Sequence, residues 1–162
     1  KSDAAGQEFQ TALVVLCELV QGCLLPFAPV AFEAGVRLDA QVDPGLMLTG
    51  DEAQLRRLVR ILLDNGVKYA GAEGAVSLTL TRQQDKLRLT VRNTGTPIPP
   101  EHLPHLFERF YRADAARNRA QGGYGLGLAI ARAIVEHHRG RISVSSSAES
   151  GTVFTVLLPK ST

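Results

Sequence analysis

Four glycines crowd into six residues, Gly122, Gly123, Gly125 and Gly127, where a helix is about to begin at Leu126-Gly127-Leu128. Glycine lacks a Cβ, so such a backbone can approach an anion closely. The helix N-terminus that follows adds unpaired N–H groups and positive dipole character. Glycine kept for turn geometry alone would read the same way. A second segment far upstream, Asp64-Asn65-Gly66-Val67-Lys68, narrows the choice. Asn65 and Lys68 are three apart on a helix and share a face. One offers an amide oxygen to a hard cation, the other an ammonium to an anion. The plain alternative is a helix-interior Asn and a solvated Lys. Together the two segments point to a nucleoside triphosphate held with Mg²⁺.

The 162 residues fit one domain of ordinary size. A hydrophobic share of 44% supports a real core and excludes a disordered chain. The net charge of +2 gives no strong electrostatic bias overall. Arg109, Arg112, Arg117 and Arg119 do cluster, and since arginine matches phosphate geometry the cluster suits a nucleic-acid face or a triphosphate. Cys17 and Cys23 have neither a metal spacing nor a disulfide framework around them, and read as buried and reduced in a cytosolic setting. No charge-free apolar run is long enough to predict a membrane span, and no signal peptide is seen. The chain opens on Lys1, which suggests a piece of a longer protein whose membrane part, if any, lies elsewhere.

Residues 1–8 are polar and read as loose, and residues 9–162 as one domain. A helix is predicted around Leu13–Leu25, interrupted or bent by Pro26 and Pro29. Val36–Val42 alternates as a half-buried strand and Leu46–Thr49 is a second, short one. Asp51, three residues before Gln54, has the spacing of a capping box. Leu55, Leu58, Val59, Leu62, Leu63 and Val67 then form one helical face, ending near Ala70-Gly71. Val76–Arg82 and Leu87–Asn93 read as an antiparallel hairpin. A short aromatic helix is predicted over Leu106–Arg112, inside a long irregular segment that suits a lid. Leu126–His138 is a helix stopped by Gly140, and Arg141–Ser147 with Thr152–Leu158 forms a closing hairpin.

These blocks, in this order, resemble the catalytic and ATP-binding domain of bacterial sensor histidine kinases, within the wider group of gyrase and Hsp90 ATPases. The resemblance spans Phe9 to Pro159. An N-box-like helix runs Asp51…Leu62-Leu63-Asp64-Asn65-Gly66-Val67-Lys68-Tyr69. A first glycine block is Asn93-Thr94-Gly95-Thr96-Pro97-Ile98. An F-box is Leu106-Phe107-Glu108-Arg109-Phe110-Tyr111-Arg112. The second glycine block is Gly123-Tyr124-Gly125-Leu126-Gly127-Leu128. One block would be weak; four in order are specific.

The resemblance implies an α+β fold: a two-layer α/β sandwich of the Bergerat type, with a mixed, mostly antiparallel sheet, helices on one face and a flexible ATP lid. It implies Mg-ATP as cofactor and transfer of the γ-phosphoryl group to a histidine. Asn65 would hold the metal, and Asn65, Lys68 and Arg112 would carry the catalytic work. Tyr69, Asn93, Gly95, Ile98, Arg109, Gly123, Gly125, Leu126, Gly127 and Leu128 would complete the nucleotide site. Tyr69 reads equally well as packing. Phe107, Phe110 and Tyr111 are expected to anchor the lid on the core, and Arg117 and Arg119 to be solvated.

Three residues depart from the family pattern. Asn93 stands where Asp usually accepts the adenine amino group, which removes a charge from that hydrogen bond. Pro97 replaces a glycine. Ile61 replaces an Asn one turn before Asn65, where hydrolysing relatives have a water-activating Glu, so hydrolysis of that kind is not expected. Gly66 also replaces a common Ala, at a helix cost of about 1 kcal/mol. His102, His105, His137 and His138 lack the sequence of a phosphoacceptor. The last two end a helix, where positive charge is favourable.

The acceptor is therefore expected on an upstream helical dimerisation domain. A response regulator receiver domain is the second implied partner, with no nucleic acid, a homodimeric parent, a monomeric isolated domain and a cytoplasmic location. A degenerate site serving as a non-catalytic docking or regulatory module is the alternative.

Overall fold

The computed structural model describes residues 9–111 and 126–161. The segment expected to be loose, residues 1–8, lies outside them, as do residues 112–125, which hold the later part of the expected lid with Arg112, Arg117 and Arg119, and Gly123 and Gly125 of the second glycine block. In chain order the elements are β1 (Ala12–Val15), α1 (Leu16–Ala34), β2 (Arg37–Val42), β3 (Met47–Gly50) and α2 (Glu52–Tyr69). There follow β4 (Ala75–Gln83), β5 (Lys86–Asn93), a 3-10 turn at Leu103–His105, α3 (Gly127–His137), β6 (Arg141–Ser147) and β7 (Gly151–Pro159).

Alternation along the strands makes the sheet two-faced. Val76, Leu78 and Leu80 of β4, Leu87, Leu89 and Val91 of β5, and Phe154, Val156 and Leu158 of β7 are buried. The sheet has five strands in the order β2-β4-β5-β7-β6. β2 and β4 are parallel; the other neighbours are antiparallel. β2 feeds β4 through β3 and α2, the crossover that parallel strands require. β1 and β3 form a separate two-stranded ribbon.

The helices bury their apolar faces in the same core. Leu55, Leu58, Val59, Leu62, Leu63 and Val67 of α2 are all buried, as the sequence period predicts. Asp51 caps α2, its Oδ1 accepting from the Gln54 backbone N–H at 3.0 Å. Cys17 and Cys23 are buried free thiols. Burial pushes the Cys23 thiol above its ordinary pKa, against the lowering pull of Arg56 and Arg60.

Three segments differ from the sequence expectation, the first being residues 13–15, which pair in β1 instead of opening the helix. α1 continues through Pro26 and Pro29 to Ala34. Each proline removes one N–H from the helix ladder. Both prolines sit on the exposed side, so the released carbonyls face water. Leu16, Leu19, Val20, Cys23 and Ala31 hold the opposite side in the core. By length and mean hydropathy, 1.3 over Leu16–Glu33, α1 could also cross a membrane; here its apolar residues on that side are packed in the core.

The aromatic helix expected from Leu106 does not form. Successive turns close instead, with Glu108 N donating to His105 O at 3.0 Å and Tyr111 N to Glu108 O at 3.3 Å. Phe110 has a φ of 67°, which no helix can continue through.

Candidate functional site

The end of α2, the end of β5 and the start of α3 meet on one side of the core. Asn65 is half-buried near the end of α2, and Lys68 is exposed. Lys68 Nζ lies 3.3 Å from Asp64 Oδ2. With both side chains partly in water, this pair contributes little stability. α2 also brings Ile61, one turn before Asn65, to the start of α3. A Cβ built on Gly127 would stand 3.6 Å from Ile61 Cγ2. Ile61 is partly buried and packs against the core cluster.

Leu126 immediately precedes α3, and its carbonyl accepts the Ile130 N–H at 2.9 Å. Leu126 has no side-chain cap. The Gly127 and Leu128 N–H groups belong to the first turn, where a helix has no carbonyl of its own to bond. The described end of the second glycine block, residues 126–128, thus brings first-turn N–H groups beside Ile61, one helical turn from Asn65.

The second wall is built at Asn93, which is 4% exposed. Its Nδ2 donates to Thr94 O at 2.6 Å and to Tyr69 O at 3.4 Å. Both partners are carbonyls, which fixes the amide orientation and leaves Oδ1 as the acceptor. Thr94 Oγ1 donates to Ala70 O and accepts from Ala75 N, both at 2.9 Å. This Thr is the site residue that the motif reading passed over. A hydroxyl between Asn and Gly at a strand end was the available signal, since such groups bond to nearby backbone.

Bare backbone completes this wall. A Cβ on Gly95 would fall 2.2 Å from Tyr69 O, at a φ of 118°. A Cβ on Gly74 would fall 2.2 Å from Ala70 O, and one on Gly151 would fall 2.3 Å from Asn93 O. Ile98 is tied to the closing hairpin, its N–H donating to Ser146 Oγ at 2.8 Å. Ser146 Oγ is in turn 2.8 Å from Thr152 Oγ1.

The lid aromatics divide. Phe107 packs edge-on against Phe154 with ring centroids 6.0 Å apart, as expected of an anchor. Phe110 is 63% exposed and does not pack on the core; the Arg109 guanidinium lies 5.5 Å over its ring. Tyr111 lies beside His102 and His105, and its hydroxyl bonds His102 Nδ1.

His138 also departs from the expectation that positive charge is favourable at this helix end. It is buried, and desolvation lowers its pKa, opposed by the Ile134 hydrogen bond and the Asp51 charge and assisted by His137.

Among the described residues, no group of three or more His, Cys, Asp or Glu could hold a metal ion. Mg²⁺ does not need such a cage: it keeps several waters and is bound by few protein oxygens plus substrate phosphates. One amide oxygen, that of Asn65, near the first-turn N–H groups of α3 fits that habit.

Residues 50–162 match the family described as histidine kinase-, DNA gyrase B- and HSP90-like ATPase. Sensor histidine kinase RppB of Synechocystis sp. is 40% identical over 148 residues, 91% of this chain and 33% of that protein. The chain thus spans about a third of that relative's length. The nucleotide-free catalytic domain of histidine kinase ThkA superposes with a TM-score of 0.82 at 26% identity, covering 95% of this chain and 97% of the other. ThkA in complex with response regulator protein TrrA gives a TM-score of 0.79 at 25% identity, covering 94% and 42%.

Proposed function

This chain belongs to the histidine kinase-, DNA gyrase B- and HSP90-like ATPase family, as an ATP-using catalytic module of the kind sensor histidine kinases carry, and from that premise we propose how it works. It binds Mg-ATP between the end of α2, the β5 end and the start of α3. It presents the γ-phosphoryl group to a histidine on a helical dimerisation domain of the same parent protein. A response regulator receiver domain then takes the phosphoryl group. The parent is a homodimer with this domain on the cytoplasmic side, residues 9–162 form one unit, and the domain alone is a monomer.

One observation carries this reading. Ile61 Cγ2 lies 3.6 Å from where a Cβ on Gly127 would stand, so the N-box-like helix and the Gly127 end of the second glycine block lie side by side although they are remote in sequence. In phosphoryl transfer the protein's work is positioning and charge stabilisation. Asn65 supplies the protein oxygen for Mg²⁺, and the ion, when bound, would neutralise phosphate charge. Lys68 and Arg112 meet phosphate oxygens, with Arg109 at the margin. The amides of Gly123, Gly125, Leu126, Gly127 and Leu128 cradle the phosphates. Asn93 Oδ1 accepts from the adenine amino group. Gly95, Ile98 and Tyr69 shape the base cleft.

A second reading has its own observation. Ile61 places a branched alkyl group where a second amide would assist, so the site could be a docking module that no longer binds nucleotide. Titration calorimetry with a non-hydrolysable ATP analogue separates the two. Magnesium-dependent binding supports the kinase reading. No heat at millimolar nucleotide overturns it in favour of the docking module.

A further inference from the structure

α2 and α3 pack along their length, with Ala131, Ile134 and Val135 of α3 buried, and two of the points where they meet lie at opposite ends of α3. One is the Ile61–Gly127 contact beside the candidate site. The other is where His138, the C-cap of α3, meets Asp51, the N-cap of α2. Ten residues separate the two points on α2 and eleven on α3 (61 − 51 and 138 − 127). At about 1.5 Å per residue both spans are roughly 15 Å. Two contacts that far apart fix the tilt of one helix on the other, and not only their distance.

The second contact depends on a single ring. His138 is 6% exposed. Its Nδ1 lies 2.8 Å from Ile134 O and its Nε2 lies 2.9 Å from the Asp51 backbone N. A carbonyl only accepts and an amide N–H only donates, so the ring is neutral with its proton on Nδ1. Asp51 carries the link onward: Oδ1 accepts from Gln54 N, and Oδ2 accepts from Gln10 N at 2.8 Å. Phe9 packs its ring against His138 and His137 at centroid distances of 5.1 and 5.9 Å. Gly50 makes the room, since a Cβ there would fall 2.6 Å from His138 Cδ2.

We propose that His138 is a positioning residue for the nucleotide site: as a neutral imidazole it joins the chain at Phe9–Gln10 to the start of α2 and the end of α3, and so sets Asn65 against the Gly127 turn. This rests on the nucleotide reading above. Protonation would put a second N–H on Nε2, facing the Asp51 N–H donor to donor in a buried place. The Asp51 carboxylate faces the ring from α2 and favours its charged form; His137, from α3 itself, opposes it. Among the described residues, β3 and the segment before β1 bring the uncharged Gly50, Phe9 and Gln10 to the ring.

The test measures affinity for a magnesium-loaded, non-hydrolysable ATP analogue by calorimetry at pH 7.5 and 5.5, on the 162-residue chain. His138→Gln keeps an acceptor for the Asp51 N–H but does not titrate; His138→Leu has none. At pH 7.5 His138→Leu is expected to bind about tenfold more weakly, with His138→Gln recovering most of that loss. On acidification the wild type should lose several-fold more affinity than His138→Gln, a ratio in which protonation of the nucleotide cancels. Identical pH profiles for wild type and His138→Gln overturn the proposal, as does a folded His138→Leu with wild-type affinity. If His138→Leu does not fold, the wild-type and Gln profiles decide alone. A wild type that binds no nucleotide at pH 7.5 removes the nucleotide reading and this inference with it. Wild-type binding with no difference among the variants removes this inference only.

Discussion

Ile61 Cγ2 stands 3.6 Å from where Gly127 would carry a Cβ, so an alkyl group abuts the glycine turn proposed to hold phosphate. Ile61→Asn is expected to put an amide there and tighten Mg-nucleotide binding by about tenfold, one good hydrogen bond to a charged group. The loss of partly buried alkyl surface should cost about 1–2 kcal/mol of stability. Calorimetry and urea titration on one preparation read both quantities. Unchanged affinity would show that position 61 does not face the nucleotide.

Asn65→Ala is expected to remove the magnesium dependence of nucleotide binding. Stability should move by no more than about 0.5 kcal/mol, because Asn65 is half-buried and Ala is the better helix former. Titrations with Mg²⁺ and with chelator make the comparison. A variant that still needs magnesium places the metal ligand elsewhere.

Asn93→Asp sets two effects against each other. Charge on the acceptor should tighten adenine binding several-fold. The other carboxylate oxygen, however, would replace the Nδ2 that now donates to Tyr69 O and Thr94 O. Two carbonyls facing an oxygen should cost about 1–3 kcal/mol of stability. A lower melting temperature with higher affinity is the expected pair of results; equal affinity would sink the adenine assignment.

Gly95→Ala and Gly71→Ala both act at a positive φ, 118° and 85°. Only at Gly95 would the new Cβ meet backbone, at 2.2 Å from Tyr69 O. Gly71→Ala should cost about 1–2 kcal/mol, the backbone strain alone. Gly95→Ala should exceed it, reaching about 4 kcal/mol or failing to fold. Denaturant midpoints of the two variants test the difference, and similar midpoints would mean that the β5 end can move away.

Stability should fall in mild acid through His138. Its folded pKa lies below its ordinary value of 6.5, so the unfolded chain binds the proton more readily. The contribution is therefore whole above the unfolded pKa and is lost as pH drops through it toward the lower, folded one. Thermal melts from pH 7.5 to 5 should decline for the wild type and decline less for His138→Gln. Parallel curves would assign the acid sensitivity to other groups.

Much of this architecture was legible because it rests on short-range rules. The helical period from Leu55 to Val67 and the alternation of β4 and β5 gave their elements within a residue or two of those observed. The sequence misled where tertiary context overrode a local rule. Pro26 and Pro29 normally end a helix, but their lost bonds face solvent here. Phe110 belongs to a helical pattern, yet its positive φ stops the turn. His138 read as a charged helix end because only the fold shows Asp51 and Phe9 closing over it. The site motifs were visible as residue types. The role of Thr94 and the pinning of the Asn93 amide were not, since each uses a carbonyl at the end of α2, Ala70 O or Tyr69 O, more than twenty positions away.

Around Asn93 the walls are main chain against main chain, at Gly74, Gly95 and Gly151. Those codons tolerate one amino acid, whereas Ile61 and Asn93 contribute side chains that can be exchanged at modest cost. Mutational drift in such a domain would thus erode its chemistry before its contour, and a homologue that has lost activity would still show the hollow of a working one.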